Sequence, residues 1–135
     1  MAYAILRLAA DQSIANNTAT DINWDTEDAD FGGVHSGSNA TVSLSAGLWL
    51  MIADVSFAAN STGSRQIKIT EGSTDIAFME NSGQGSAVSQ RIALPILWVV
   101  PDAGATYKVC ALQTSGGNLN VLGNRSSYFM VAQLA

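Results

Sequence analysis

The stretch Gly47-Leu48-Trp49-Leu50-Met51-Ile52-Ala53-Asp54-Val55-Ser56-Phe57 limits what this chain can fold into more than any other segment. Read with the two-residue period of a strand, Trp49, Met51, Ala53, Val55 and Phe57 share one face and point into a sandwich core. Leu48, Leu50 and Ile52 share the other, where an exposed antiparallel sheet ordinarily turns polar. A strand that is apolar on both faces must be covered on both, by another strand or by another subunit. Val88 to Val100 repeats the pattern, with Ile92, Leu94, Ile96 and Trp98 set against Ala93, Leu97 and Val99. Pro95 has no amide to donate, so a bulge or a sheet edge is expected there.

Shorter strands are expected at Tyr3 to Leu8, Thr20 to Trp24, Thr41 to Leu44, Arg65 to Thr70 and Thr74 to Glu80. Three more follow at Thr106 to Thr114, Leu119 to Leu122 and Ser127 to Leu134. Between them lie turn clusters such as Asn60-Ser61-Thr62-Gly63, Glu71-Gly72, Pro101 to Gly104 and Ser115-Gly116-Gly117. Roughly eight to ten strands at this spacing, with no convincing helix, internal repeat or linker, make an all-β, two-sheet antiparallel sandwich. It is expected to be one domain over residues 1–135.

Charged residues make up 13% of the chain and hydrophobic ones 47%, against about 25% charged in an ordinary soluble domain. That is more apolar surface than one small domain can hide, and self-association is its natural outlet. The net charge is −5 with six Lys and Arg in all. No basic stripe exists to neutralise phosphates, which argues against nucleic acid. The first ten residues lack the basic start and long apolar core of a signal peptide. The longest mostly apolar run, Gly47 to Val55, is too short to span a bilayer and contains Asp54, so no membrane partner is expected.

Residues with chemical potential are few. His35 is the sole histidine and lies in the Gly/Ser-rich stretch Phe31 to Asn39, where it reads as a solvated loop residue. No strand-then-Gly-x-Ser-x-Gly elbow supports a Ser-His-Asp triad, so no catalytic residue is assigned. One His and one Cys exclude a zinc site within one subunit, leaving only a three-fold His35 site shared across an axis. Cys110 reads as a small buried hydrophobe on a strand. The acidic run Asp25, Glu27, Asp28 and Asp30 offers oxygens of the kind calcium prefers, but without the spacing or glycine of an EF-hand loop. It reads as a solvated acidic loop, and no metal or cofactor is assigned. Paired carboxylates for glycoside hydrolysis could be drawn from the same run, although nothing shows them facing across a cleft. Trp24 and Phe31 flank the run and could stack a sugar ring. The segment Trp24, Asp25, Glu27, Asp28, Asp30 and Phe31 is therefore the first choice for a partner-binding loop. Asn60 to Ser64, Asn81 to Ser86 and Ser115 to Asn118 come after it.

Several segments, in order, resemble the C1q/TNF-like jelly roll in its bacterial and bacteriophage virion variant. Asp30-Phe31-Gly32-Gly33, Thr41-Val42 and Ala46-Gly47-Leu48-Trp49 come first. Thr62-Gly63-Ser64-Arg65-Gln66-Ile67 follows, resembling a Gly-x-Arg-x-Ile hairpin. Ala103-Gly104 with Tyr107-Lys108-Val109, then Gln113 to Val121, then Ser127-Tyr128-Phe129 complete the series. The likeness runs from about residue 3 to 134. Glu71-Gly72 departs from the family's Asn-Gly but still suits a hairpin.

What the resemblance implies is a ten-stranded jelly roll that trimerises about a three-fold axis, one sheet lining the centre. Leu48, Leu50, Ile52, Leu97 and Val99 are then the expected trimer contact. The implied function is non-enzymatic: a bacteriophage decoration protein that reinforces the head as a homotrimer on the major capsid protein, at the virion surface. A chain beginning with its own Met and lacking a stalk fits that reading. The alternative is a receptor-binding head of a tail fibre or bacterial adhesin, facing a host-cell receptor or lying at a bacterial cell surface. A carbohydrate-active enzyme on a β-sandwich is the third reading.

Overall fold

A computed structural model describes residues 1–135 as twelve β-strands. They are β1 (Tyr3–Arg7), β2 (Gln12–Ile14), β3 (Thr20–Asp21), β4 (Thr26–Phe31), β5 (Val42–Leu44), β6 (Gly47–Phe57), β7 (Ser64–Glu71), β8 (Thr74–Ser82), β9 (Gln90–Val100), β10 (Ala105–Gln113), β11 (Leu119–Val121) and β12 (Tyr128–Gln133). A seven-stranded sheet runs β2-β11-β6-β12-β1-β4, with β9 on the other side of β6, and a five-stranded sheet runs β3-β10-β7-β8, with β5 also on β10. All the pairings are antiparallel.

Between the sheets lies the core that the period-two reading anticipates. Trp49, Met51, Ala53, Val55 and Phe57 of β6 are fully buried, and Ile67 and Ile69 of β7 meet them from the other sheet. The β6–β9 ladder runs unbroken from Gly47↔Val100 to Phe57↔Gln90. Pro95 therefore causes no bulge. It sits on an edge strand, since β9 pairs with β6 alone, and an edge tolerates the missing donor.

Two glycines are required by close approach. Gly47 opens β6 at φ +142°, and a Cβ there would lie 2.3 Å from the Ala135 carbonyl oxygen, which accepts the Leu48 amide at 2.8 Å. Gly63, in the turn before β7, has φ +72°, and its Cβ would fall 1.9 Å from the Thr114 carbonyl oxygen.

β7 carries a charged side chain inward at each end. Arg65 is completely buried and donates to three backbone carbonyls: Nη1 to Thr62 and Ser64, each at 2.9 Å, and Nη2 to Asn60 at 2.8 Å. Burial pulls its guanidinium below the ordinary arginine range. Glu71 accepts from the Trp98 indole at 3.1 Å and from the Tyr107 hydroxyl. Burial first, and this carboxylate second, push the Tyr107 phenol well above its usual range.

Three expectations change. β2 was not anticipated. Thr20 to Trp24 shrinks to the two-residue β3, after which Trp24 makes a single bridge to Asn39. The acidic stretch is a strand rather than a loop: β4 pairs with β1 from Tyr3↔Phe31 to Arg7↔Thr26, with a bulge between Ile5 and Leu6. β4 is also an edge, where charged residues deter pairing with another chain.

Candidate functional site

The register brings the expected contact residues into one block. Leu48 faces Val99, Leu50 faces Leu97, and Ile52 faces Pro95. Directly opposed residues of an antiparallel pair project from the same face. On the other flank of β6, Ala132 lies opposite Leu50 and Met130 opposite Ile52. Next come Tyr3 and Ile5 of β1, then Phe31 and Ala29 of β4. The outer face of the seven-stranded sheet is thus an apolar band five strands wide. Leu97 and Val99 are 62% and 66% exposed at one margin, and Phe31 is 60% exposed at the other, where its ring stacks on Tyr3 with centroids 5.9 Å apart. The contribution of Tyr3, Ile5, Met130 and Ala132 was missed, although their own alternation carried the signal.

The band ends in a charged row. Asp54 is buried and pairs with Arg91 at 3.0 Å. Arg7 and Arg125 share Asp28, at 2.5 and 2.9 Å, and Arg7 also lies over the Tyr128 ring. Burial raises the Asp54 carboxyl above the ordinary aspartate range, while Arg91, a Tyr128 hydrogen bond and Arg7 oppose the rise. The folded protein therefore holds this proton more tightly than the unfolded chain does. Its contribution is fully present below the unfolded value and is lost as pH rises through the folded one. Urea titrations of wild type and Asp54→Asn should show it. From roughly pH 4 upward, wild type should lose stability relative to the variant, and a constant difference would contradict the assignment.

Within the expected partner segment the structure removes Trp24 and gives the carboxylates local partners. Trp24 is completely buried and stacks on Phe129 in the core, centroids 6.2 Å apart, so it presents no ring to a sugar. Each carboxylate has a local partner instead. Asp25 accepts the Ala9 amide at 2.7 Å, and Asp28 holds the two arginines. Asp30 accepts the amides of Val34 at 3.0 Å and His35 at 3.2 Å. Glu27 lies 2.6 Å from Nδ1 of His35. No group of three or more His, Cys, Asp or Glu is arranged to hold a metal ion. Asp25, Glu27 and Asp28 keep an exposed edge beside these partners, and Phe31 stays open as part of the apolar band.

His35 is likewise not solvated. It is 6% exposed, and its Nε2 lies 2.8 Å from the Asn39 carbonyl oxygen. The ring thus ties the Phe31 to Asn39 segment to β4. Its burial also removes a shared three-fold metal site, because both ring nitrogens are already engaged. His35→Ala should cost about 1–3 kcal/mol, the penalty for leaving such partners unpaired. Faster amide exchange confined to residues 31–39 would locate the effect. Exchange unchanged there would mean that Asp30 holds the segment alone.

Cys110 is buried, as anticipated, but it lies outside the main core. Its β10 neighbours Tyr107, Val109 and Ala111 point inward, while Cys110 lines a groove on the outer face of the five-stranded sheet. Burial raises its thiol, the largest of several influences.

No protein-family model and no curated protein matches the chain. Solved structures do. The chain is similar to the globular domain of a zebrafish complement 1qA protein, with a TM-score of 0.67 at 9% identity over 100% of this chain and 98% of that one. Murine APRIL aligns with a TM-score of 0.72 at 13% identity over 98% of both chains. The fold is the C1q/TNF-like jelly roll. A TNF from S. frugiperda, Eiger, also aligns, with a TM-score of 0.59 at 11% identity over 98% of this chain and 92% of that one. Within this jelly roll the apolar band belongs to the sheet holding β1, β4, β6, β9 and β12, and the Cys110 groove to the other.

Proposed function

We propose that this chain is a non-enzymatic homotrimeric module whose subunits join through the outer face of the seven-stranded sheet. One observation carries the reading: Leu48, Leu50, Ile52, Leu97, Val99, Met130, Tyr3 and Phe31 form a continuous apolar band on a sheet face turned toward water. Its most exposed residues lie at opposite margins, on β9 and on the β1–β4 side. A head-to-tail contact covers both when the β9 margin of one copy meets the β1–β4 margin of the next, and such contacts close as rings. Three members is the number implied by the sequence resemblance.

The setting we infer is the virion surface of a tailed bacteriophage, where the trimer would reinforce the head by binding the major capsid protein. The ordered sequence motifs support this role, with receptor binding by a tail-fibre or adhesin head as its rival. Sedimentation equilibrium near neutral pH should give three times the 14.1 kDa chain mass. A clean monomer at micromolar concentration would end the trimer reading. Association with empty capsids but not with intact host cells supports decoration, and the reverse result replaces it with receptor binding.

A further inference from the structure

The outward face of the five-stranded sheet is polar and recessed. A groove of about 440 Å3 runs across β3, β10, β7 and the start of β8, within the size range of small-ligand sites. Lys108 pairs with Asp21 at 3.2 Å on one side, and Lys68 pairs with Asp75 at 3.2 Å on the other. Thr70 and Thr106 add hydroxyls between them, and Cys110 lies at the same recess. Beside Lys68, directly across the ladder and on the same face, stands Phe78 of β8. It is 65% exposed.

These features select a ligand by chemistry. Two ammonium groups and two carboxylates cancel, so the groove has no net charge with which to attract an anion or a cation. What it offers is a dense set of donors and acceptors at fixed spacing, each ammonium donating only and each carboxylate accepting only. A ligand that must both donate and accept, and that is itself neutral, matches this set. The exposed ring adds an apolar platform at the rim. A sugar has both halves, hydroxyls around its edge and C–H groups on its face.

We propose that this groove binds a neutral carbohydrate, its hydroxyls bridging the Asp21–Lys108 and Asp75–Lys68 pairs and one pyranose face resting on Phe78. The groove lies on the sheet opposite the apolar band, so the site does not depend on how subunits associate.

The test uses the purified full chain and saturation-transfer NMR with glucose, galactose, mannose, N-acetylglucosamine and their disaccharides at millimolar concentration. The strongest binder is then titrated by calorimetry. Phe78→Ala should weaken binding by about tenfold, and Asp21→Asn with Asp75→Asn should weaken it at least as much, the sedimentation behaviour of each variant matching wild type. Raising salt from about 50 to 500 mM should leave affinity nearly unchanged, since neither partner carries net charge. The proposal is overturned if no sugar shows transfer. It also fails if both variants bind as wild type does, or if only sulfated or sialylated sugars bind with a steep salt dependence. A monomer that binds sugar would defeat the trimer reading alone, and a trimer that binds none would defeat the groove alone.

Discussion

Leu50→Asp combined with Leu97→Asp should convert the proposed trimer into a folded monomer. The two residues face each other across the β6–β9 ladder. In a single chain Leu97 is 62% exposed and Leu50 half-buried, so carboxylates placed there reach water and leave the core intact. Between subunits the same carboxylates lose that water against an apolar partner. Desolvating an unpaired charge costs several kcal/mol, and every contact of a ring carries the penalty. An interface that holds at micromolar concentration has a binding free energy of about 8 kcal/mol, so the substitutions remove most of it. Sedimentation should fall from three chain masses to 14.1 kDa while the far-ultraviolet strand signal persists. Gln66→Asp, on the outer face of the other sheet, is the control and should leave the trimer whole. If the double variant fails to fold, Leu97→Asp alone keeps the test open, because that side chain is mostly exposed already. A trimer that survives Leu97→Asp places the contact elsewhere.

The parts of this fold that were legible in the sequence share a cause. Along β6 and β9 every second residue points to the core because one face of each is committed to it, and a shift of one residue would turn every core side chain outward. Ile22 and Trp24 alternate in the same way and both are buried. Trp24 was read as a ligand platform because the acidic run beside it drew attention from its own parity. The run itself misled through propensity: Thr-Glu-Asp-Ala-Asp-Phe is poor strand material by composition. It becomes a strand because β1 supplies backbone partners on one side, and because the carboxylates find donors that sequence order does not reveal. Arg7 and Arg125 lie 21 and 97 positions from Asp28. His35 was misread for a similar reason: a Gly/Ser-rich setting indicates a surface loop, whereas the contacts that bury this ring come from Glu27 and Asn39. Composition marked the segments without apolar alternation, and specific side-chain pairing, distant for Asp28 and local for His35, decided how each is held.

Arg65→Met should destabilise the fold by about 2–4 kcal/mol, for a reason that composition hides altogether. Parity places Arg65 on the inward face with Ile67 and Ile69, an unexpected position for a charge, and the side chain is completely buried. No carboxylate neutralises it. Its partners are the carbonyls of Asn60, Thr62 and Ser64, so the guanidinium acts as the hub around which the turn before β7 is wound. The same turn contains Gly63, pressed against Thr114, and accepts the Gly83 amide at 2.6 Å. Loss of the hub therefore loosens two neighbouring loops as well as its own. Two effects oppose each other. Burying a guanidinium is costly, as the downward shift of its proton affinity records, and an apolar residue escapes that cost. Methionine, however, leaves three carbonyl acceptors without their charged donor, and hydrogen bonds to charged groups are worth about 1.5–3 kcal/mol each. The turn is partly open to solvent, so water recovers some of this loss, and the expected net effect is a fraction of the sum. Arg65→Lys should fall between the two, since one ammonium cannot span carbonyls arranged for a planar fork. Urea unfolding at an unchanged m-value measures the difference directly. A methionine variant as stable as wild type would show that desolvation outweighs the carbonyl contacts, and that the turn is held by Gly63 and its neighbours without the arginine.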